Sequence, residues 1–432
     1  MRKFAFFAFH FLYFAFISTA APPDNSKPFS QGDDFTSGEK MALSIENAIQ
    51  LGIKNNPSYK SSSAKINAAT GRFWNTISPT PPELTVSFDD IPAGKAIRRY
   101  GENNFGVNQS IEFPTNYIFR GSRCNKEISI SRQELAQTEL DIVSNVKGSY
   151  FNVLAFREQI KIADDNLRIA EQFLKKSDIR YNVGEGTNLE KLTAKVQYAE
   201  ALNNLETQKN HYATALAELN YAMGNGKSGN REYQLTDSLV FSLLKLDIEQ
   251  LIDQADVNNP LLNVSRLQLE VRAIEKTIAY SSVLPDFSIG AYSKNVNDDT
   301  RRYYGVSFGV TVPLWFMFDQ NGRIRESSAN LQSAESDLHS NENNLHLQIK
   351  SAFNRYKDAE RQVASYNNEI LPQSVEVSRI ALKSYESGEI TYLEFLEAQQ
   401  TLIAAQSNYI NALLDYNLSI ISLEQAVGKN IK

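Results

Sequence analysis

Two hydrophobic periods divide this chain. In the first, apolar and polar positions take turns. Leu84, Val86 and Phe88, then Phe105, Val107, Ile111 and Phe113, alternate with Thr85, Ser87, Asn108, Ser110 and Glu112. The same pattern returns in Phe287, Ile289 and Ala291, and in Tyr304, Val306, Phe308, Val310 and Val312, with Ser288, Ser307 and Thr311 between them. Period two predicts four half-buried β-strands. It is equally the period of an outer-membrane strand, apolar toward lipid and polar toward a lumen. Tyr100, Tyr117, Phe119, Tyr292, Tyr303, Trp315, Phe316 and Phe318 gather near the predicted strand ends, where an interfacial girdle would stand. A soluble core beneath the strands is the competing reading. Against it, no other element offers a matching apolar face, and the connecting loops 89–103 and 293–302 are polar.

The second period is helical. Pro114 is followed by no proline until Pro260, and after Pro313 only Pro372 remains. Both proline-poor stretches are rich in Ala, Leu, Glu, Gln, Lys and Asn, the mixture of long helices with polar outer faces. Residues 120–180 and 322–384 each predict a helix near 60 residues, roughly 90 Å at 1.5 Å per residue. That length implies coiled-coil-like packing, and Pro372 is expected to break or kink the second helix.

The two periods recur because the chain is an internal duplication. Residues 181–224 align with 385–428 without a gap, and fourteen of 44 positions are identical. Within them Tyr181, Gly184, Glu185, Thr187, Leu189 and Glu190 match Tyr385, Gly388, Glu389, Thr391, Leu393 and Glu394. Both copies end on a glycine, Gly224 and Gly428, at a helix C-cap position. Further back, Asn55-Asn56-Pro57 matches Asn258-Asn259-Pro260, and Phe105-Gly106-Val107 matches Tyr304-Gly305-Val306. The predicted organisation is a first repeat over 41–228 and a second over 229–432, forming one structural unit. Each reads helix, strand pair, long helix, glycine turn, helix. Four strands cannot close a barrel in lipid, since an open edge leaves backbone groups unpaired. If the strands cross a membrane, several chains must share one barrel.

The amino terminus adds a compartment. Arg2 and Lys3 precede the apolar run Phe4 to Ile17 and the small residues Ser18, Thr19 and Ala20. This predicts a secretory signal peptide over 1–21, too short to span a bilayer as a helix. Residues 22–40, rich in Pro, Ser, Gly and Asp, read as a flexible leader. The single cysteine, Cys124, allows no internal disulfide, and no cysteine follows the signal peptide to carry a lipid anchor.

Composition removes other classes. With 44 basic and 50 acidic residues the formal net charge is −6, and no basic cluster points to nucleic acid. Gly226-Lys227-Ser228 has the end of a phosphate loop, but Tyr221 stands where its first glycine belongs. His339 and His346 are two helical turns apart, too far to chelate one ion, and read as solvated. No catalytic constellation, metal set or cofactor site emerges. Three readings remain: an efflux duct, a structural or adaptor-like periplasmic coiled-coil protein, and an enzyme without visible machinery.

The ordered set of signal peptide, duplication, two strand pairs and four helical legs resembles the TolC family of outer-membrane factors. Tyr385-Glu386-Ser387-Gly388 followed by Leu393-Glu394-Phe395-Leu396-Glu397-Ala398-Gln399 carries the likeness. Val312-Pro313-Leu314 with Phe318-Asp319-Gln320-Asn321-Gly322 is similar to its cobalt-zinc-cadmium heavy-metal efflux branch. The resemblance implies an α+β, TolC-like fold: a long α-helical coiled-coil barrel continued by four transmembrane β-strands per subunit, shared in a twelve-stranded trimeric β-barrel. It implies an exit duct in the outer membrane of a Gram-negative-type bacterium, extending into the periplasm. Its partners would be a periplasmic adaptor, an inner-membrane pump and outer-membrane lipid. The substrates expected are metal cations or small toxic compounds, with a type I protein secretion duct as the alternative. The turns at Gly184, Thr187, Gly388 and Thr391 would form the adaptor-contacting periplasmic tip. Tyr385 matches a gate-closing tyrosine, and Glu394 and Glu397 match an acidic constriction that Glu190 only partly duplicates. Ile390 departs from the family pattern, standing where a basic gate residue is found.

Overall fold

The computed structural model describes residues 41–225, 233–296, 301–312 and 319–431. The expected signal peptide and leader, the 228/229 repeat boundary, the Gly226-Lys227-Ser228 loop and the segment Pro313 to Phe318 lie outside the described residues.

The first half runs β1 (Met41–Leu43), α1 (Ile45–Asn55), α2 (Pro57–Ile77), β2 (Glu83–Asp89), β3 (Glu102–Ile111), α3 (Pro114–Asn182) and α4 (Asn188–Ala222). The second repeats that order: β4 (Tyr233–Leu235), α5 (Ile248–Asn258), α6 (Pro260–Ser281), β5 (Asp286–Val296), β6 (Arg302–Thr311), α7 (Asp319–Ser365), α8 (Leu371–Glu386) and α9 (Tyr392–Val427). The matched Asn-Asn-Pro triplets do the same work in both halves. Asn56 and Asn259 leave the helical conformation and accept a hydrogen bond from Ser58 N and Leu262 N. Pro57 and Pro260 then occupy the first turn, where no amide is needed.

α3 is a 69-residue helix, about 100 Å long. It packs against α2 and α6 along one part of its length and against α4 and α9 along another. α7 packs on α6 and α9 in the same manner. At Pro372, where a break or kink is expected, the α-helix is interrupted but the helical path continues. A π-helical turn over Tyr366–Ile370 joins α7 to α8, with Leu371 N donating to Tyr366 O. The wider turn admits the proline ring, which would collide with an ordinary α-helical carbonyl four residues back.

The four predicted strands form one antiparallel sheet in the order β2-β3-β5-β6. Its register sets Leu84 opposite Val107, Val107 opposite Ala291, and Ala291 opposite Val306, so the apolar residues share one face. That face carries no packed layer: Leu84 is 68% exposed, Val306 65% and Phe308 79%. The opposite face is small and polar, with Ser87, Asn108, Ser110, Ser288, Gly290, Ser307 and Gly309. One expectation is corrected here. Tyr292 pairs with Gly106 and Gly305, placing it mid-strand on the polar face with its ring lying across Gly305, so it is no girdle residue. Tyr303, opposite Lys294, is on the polar face too. Period-two reading places a residue on a face only once the register is known.

A second, two-stranded sheet, β1 with β4, was not evident from periodicity because each strand has only three residues. Fully buried Tyr150 reaches it, its single hydroxyl proton shared between Leu43 O at 2.8 Å and Asp237 Oδ2 at 2.6 Å. Around it Val146, Leu154, Leu219 and Met223 make one apolar core. Ile349, Tyr356, Tyr416, Ile420 and Leu423 make its counterpart in the second half.

Candidate functional site

The two glycine turns lie at one end of the helical legs. In each, a glycine adopts the left-handed conformation that other residues resist: Gly184 at φ +82° and Gly388 at φ +78°. A threonine then caps the next helix, Thr187 accepting from Glu190 N and Thr391 from Glu394 N. From this shared scaffold the copies diverge at the glutamate. Glu394 closes a capping box, accepting from Thr391 N at 2.7 Å and Thr391 Oγ1 at 2.9 Å. Those two bonds hold its carboxyl below the usual carboxylate range.

Glu190 turns instead toward the other hairpin. Its Oε1 accepts from the Tyr385 hydroxyl at 2.8 Å and pairs with Arg180 Nη1 at 3.5 Å. Arg180 also donates to the Tyr385 hydroxyl at 3.2 Å and lies over its ring. Arg180, Glu190 and Tyr385 therefore form a closed three-membered clasp between the two repeats. Burial pushes the Tyr385 hydroxyl above its ordinary pKa, and donation to Glu190 adds to the shift. The bond to Tyr385 raises Arg180 in turn.

Beneath the clasp is an aromatic cluster. Phe173 of α3 stacks on Phe395 of α9 with centroids 4.5 Å apart, and touches Tyr385 and Tyr392 at 5.5 and 5.6 Å. Tyr392 is buried, and its hydroxyl is pushed up to about 12. Lys176 of α3 bridges to Glu386 of α8 at 3.4 Å. Between the two turns opens a cleft of about 900 Å³, lined among others by Arg180, Thr187, Glu190, Tyr385, Gly388 and Thr391.

Glu190, Tyr385, Thr187, Gly388 and Thr391 are thus brought together. Glu394 and Glu397 are exposed on the first turns of α9 and are absent from the cleft lining. Arg180 escaped sequence reading. Its signal was positional: it immediately precedes Tyr181, where the second copy has Ser384. His346 is not simply solvated, since its Nε2 lies 3.0 Å from Asp256 Oδ1 of α5. Among the described residues no group of His, Cys, Asp and Glu is placed to hold a metal ion, and no helix is long and apolar enough to cross a membrane.

This geometry has relatives. A family model described as outer membrane efflux protein matches residues 48–225 and 251–429, one block in each half. The chain is 21% identical over 388 residues to the cobalt-zinc-cadmium resistance protein CzcC of Cupriavidus metallidurans, covering 90% of both chains. It is 21% identical over 423 residues to the outer membrane protein TolC of Escherichia coli K12, covering 91% of this chain and 84% of that one. A solved structure of CusC superposes with a TM-score of 0.77 at 16% identity, covering 95% of this chain and 99% of that one. With a duplicated helical scaffold, a four-stranded sheet bare on its apolar face, and the family model spanning both halves, the chain belongs to the outer membrane efflux protein family and is an outer-membrane efflux channel protein.

Proposed function

We propose that three copies of this chain assemble into the exit duct of a tripartite efflux system, with their sheets closed into one twelve-stranded barrel. The observation that carries this reading is the sheet. Its apolar face is exposed, and among the described residues β2 and β6 each have a neighbour on one side only. In lipid such edges must be paired, and other copies of the same sheet are the simplest partners. The helical legs then continue the barrel as a tunnel toward a periplasmic adaptor and an inner-membrane pump, with the turns at Gly184, Thr187, Gly388 and Thr391 as the docking tip.

The Arg180–Glu190–Tyr385 clasp holds the tip closed, because parting the two hairpins would break both contacts of Tyr385, to Glu190 and to Arg180. Glu394 and Glu397 add exposed negative charge there, which concentrates cations at the entrance. Conduction is passive and calls for no catalytic group. Metal cations are the favoured cargo, on the likeness to a cobalt-zinc-cadmium resistance protein and to cation efflux proteins named CusC. Deleting the gene should lower tolerance to cobalt, zinc, cadmium or copper, with recovery on complementation. Unchanged tolerance to all four would remove the metal reading.

A further inference from the structure

The exposed apolar face of the sheet is short. From Phe88, paired with Asn103, down to Ile111, it spans eight residue steps along β3. At about 3.3 Å per residue and a tilt near 40° this is roughly 20 Å of height. The apolar band of an outer-membrane barrel is ~25 Å tall, and a headgroup layer of about 5–7 Å follows it.

Just below the strands, three helices present a large apolar residue to solvent: Trp74 of α2 (65% exposed), Ile118 of α3 (67%) and Tyr280 of α6 (53%). Helix phase puts all three on the same side of the wall. Arg120 pairs with Glu112, and with Ile278 and Ser282 it lines a groove that also includes Asp286 and Thr311 from the sheet's polar face. Ile118 is two residues from Arg120, about 200° around the helix at 3.6 residues per turn. Tyr280 is likewise two residues from both Ile278 and Ser282. Arg72 lines a groove with Glu127, which is seven residues from Arg120 on the same face of α3, and Trp74 is two residues from Arg72. In each helix the polar-side residue marks the lumen, and its partner two positions away faces out, on the side of the sheet's apolar face.

Depth agrees. Ile118 is one turn into α3, about 6 Å below Pro114. Phe73 and Ile77 flank Gly121, about 10 Å below Pro114, which sets Trp74 at that level. The Ser281 hydroxyl donates to Asn116 Oδ1 at 2.7 Å, which sets Tyr280 near Ile118. Tryptophan and tyrosine favour the boundary where an apolar ring and a polar edge are both satisfied.

We propose that the lipid-contacting surface runs past the strands onto α2, α3 and α6. Ile118 lies at the acyl boundary of the periplasmic leaflet, and Trp74 and Tyr280 lie in its phospholipid headgroup layer. This rests on the sheet's apolar face being in lipid, so the test separates the two.

Trp74 and Trp315 are the only tryptophans, so Trp315→Phe in the full chain leaves Trp74 as the sole reporter. A second variant, Trp74→Phe with Trp315→Phe and Phe308→Trp, reports on the middle of the sheet. Both are reconstituted in phosphatidylcholine vesicles brominated either near the glycerol or near the chain ends. The expected result is loss of Trp74 emission with shallow bromine, a smaller loss with deep bromine, and little quenching by aqueous iodide. The Phe308→Trp reporter should lose most emission with deep bromine. If the sheet reporter responds but Trp74 answers only to iodide, or to neither quencher, the collar is not in lipid and the inference is overturned. If the sheet reporter is also silent toward both lipids, the placement of the sheet in the membrane falls with it.

Discussion

At the scale of single residues, the tip separates what repeats from what was altered after duplication. The turn glycines Gly184 and Gly388 were legible from the alignment, whereas the capping role of Thr187 and Thr391 appeared only in the structure, although each meets a local backbone requirement. The clasp was legible only in part. Tyr385 and Glu190 belonged to the expected gate, but 195 residues separate them and no spacing rule joins them. Arg180 looked like one more basic residue on a helix surface. If the three act together, Tyr385→Phe should raise single-channel conductance in planar bilayers, and Glu190→Gln should raise it by a similar factor. The double variant should exceed neither by much, since both remove one shared contact. Such a hydrogen-bonded contact to a charged group contributes about 1.5–3 kcal/mol. Independent, multiplying effects would show that the clasp is not a unit.

Secondary-structure elements were read more securely than their packing. Long helices, period-two strands and glycine stops are local signals, and each appeared close to where it was expected. The π turn at Tyr366–Ile370 was not legible, because Pro372 announces a disturbance without saying whether the chain bends or widens. Tyr292 was misplaced because its face depends on register with β3 and β6. The C-cap glycines carry a further constraint that only packing reveals. A Cβ on Gly428 would stand 2.7 Å from Asn258 O, and one on Gly224 would stand 2.8 Å from Asn55 C. Each glycine therefore lets the end of one helix meet the Asn-Asn-Pro junction of its own repeat. Gly388 has a similar φ of +78° but nothing within 4 Å. Gly388→Ala should cost about 1–2 kcal/mol for its backbone conformation alone. Gly428→Ala should cost more, and should lower the thermal unfolding midpoint further when followed by circular dichroism. Equal losses would mean that the close approach at Asn258 carries no weight.

For the whole molecule, duplication supplies both the duct's regularity and the incompleteness of one chain. Two copies of a strand pair make a four-stranded sheet with two free edges, and an apolar face with nothing packed on it. Closure by further copies is the account's central claim, and the edges offer its most direct test. Within one chain β2 and β6 are three strand spacings apart, about 14 Å, too far for a disulfide to join them. With the buried native thiol removed by Cys124→Ala, Val86→Cys on β2 can be combined in turn with Val306→Cys, Phe308→Cys or Val310→Cys on β6. Mild oxidation in intact outer membranes should give, for at least one pairing, covalent dimers and trimers and nothing larger. Monomers alone at every register, or a ladder continuing past the trimer, would contradict a barrel shared by three chains.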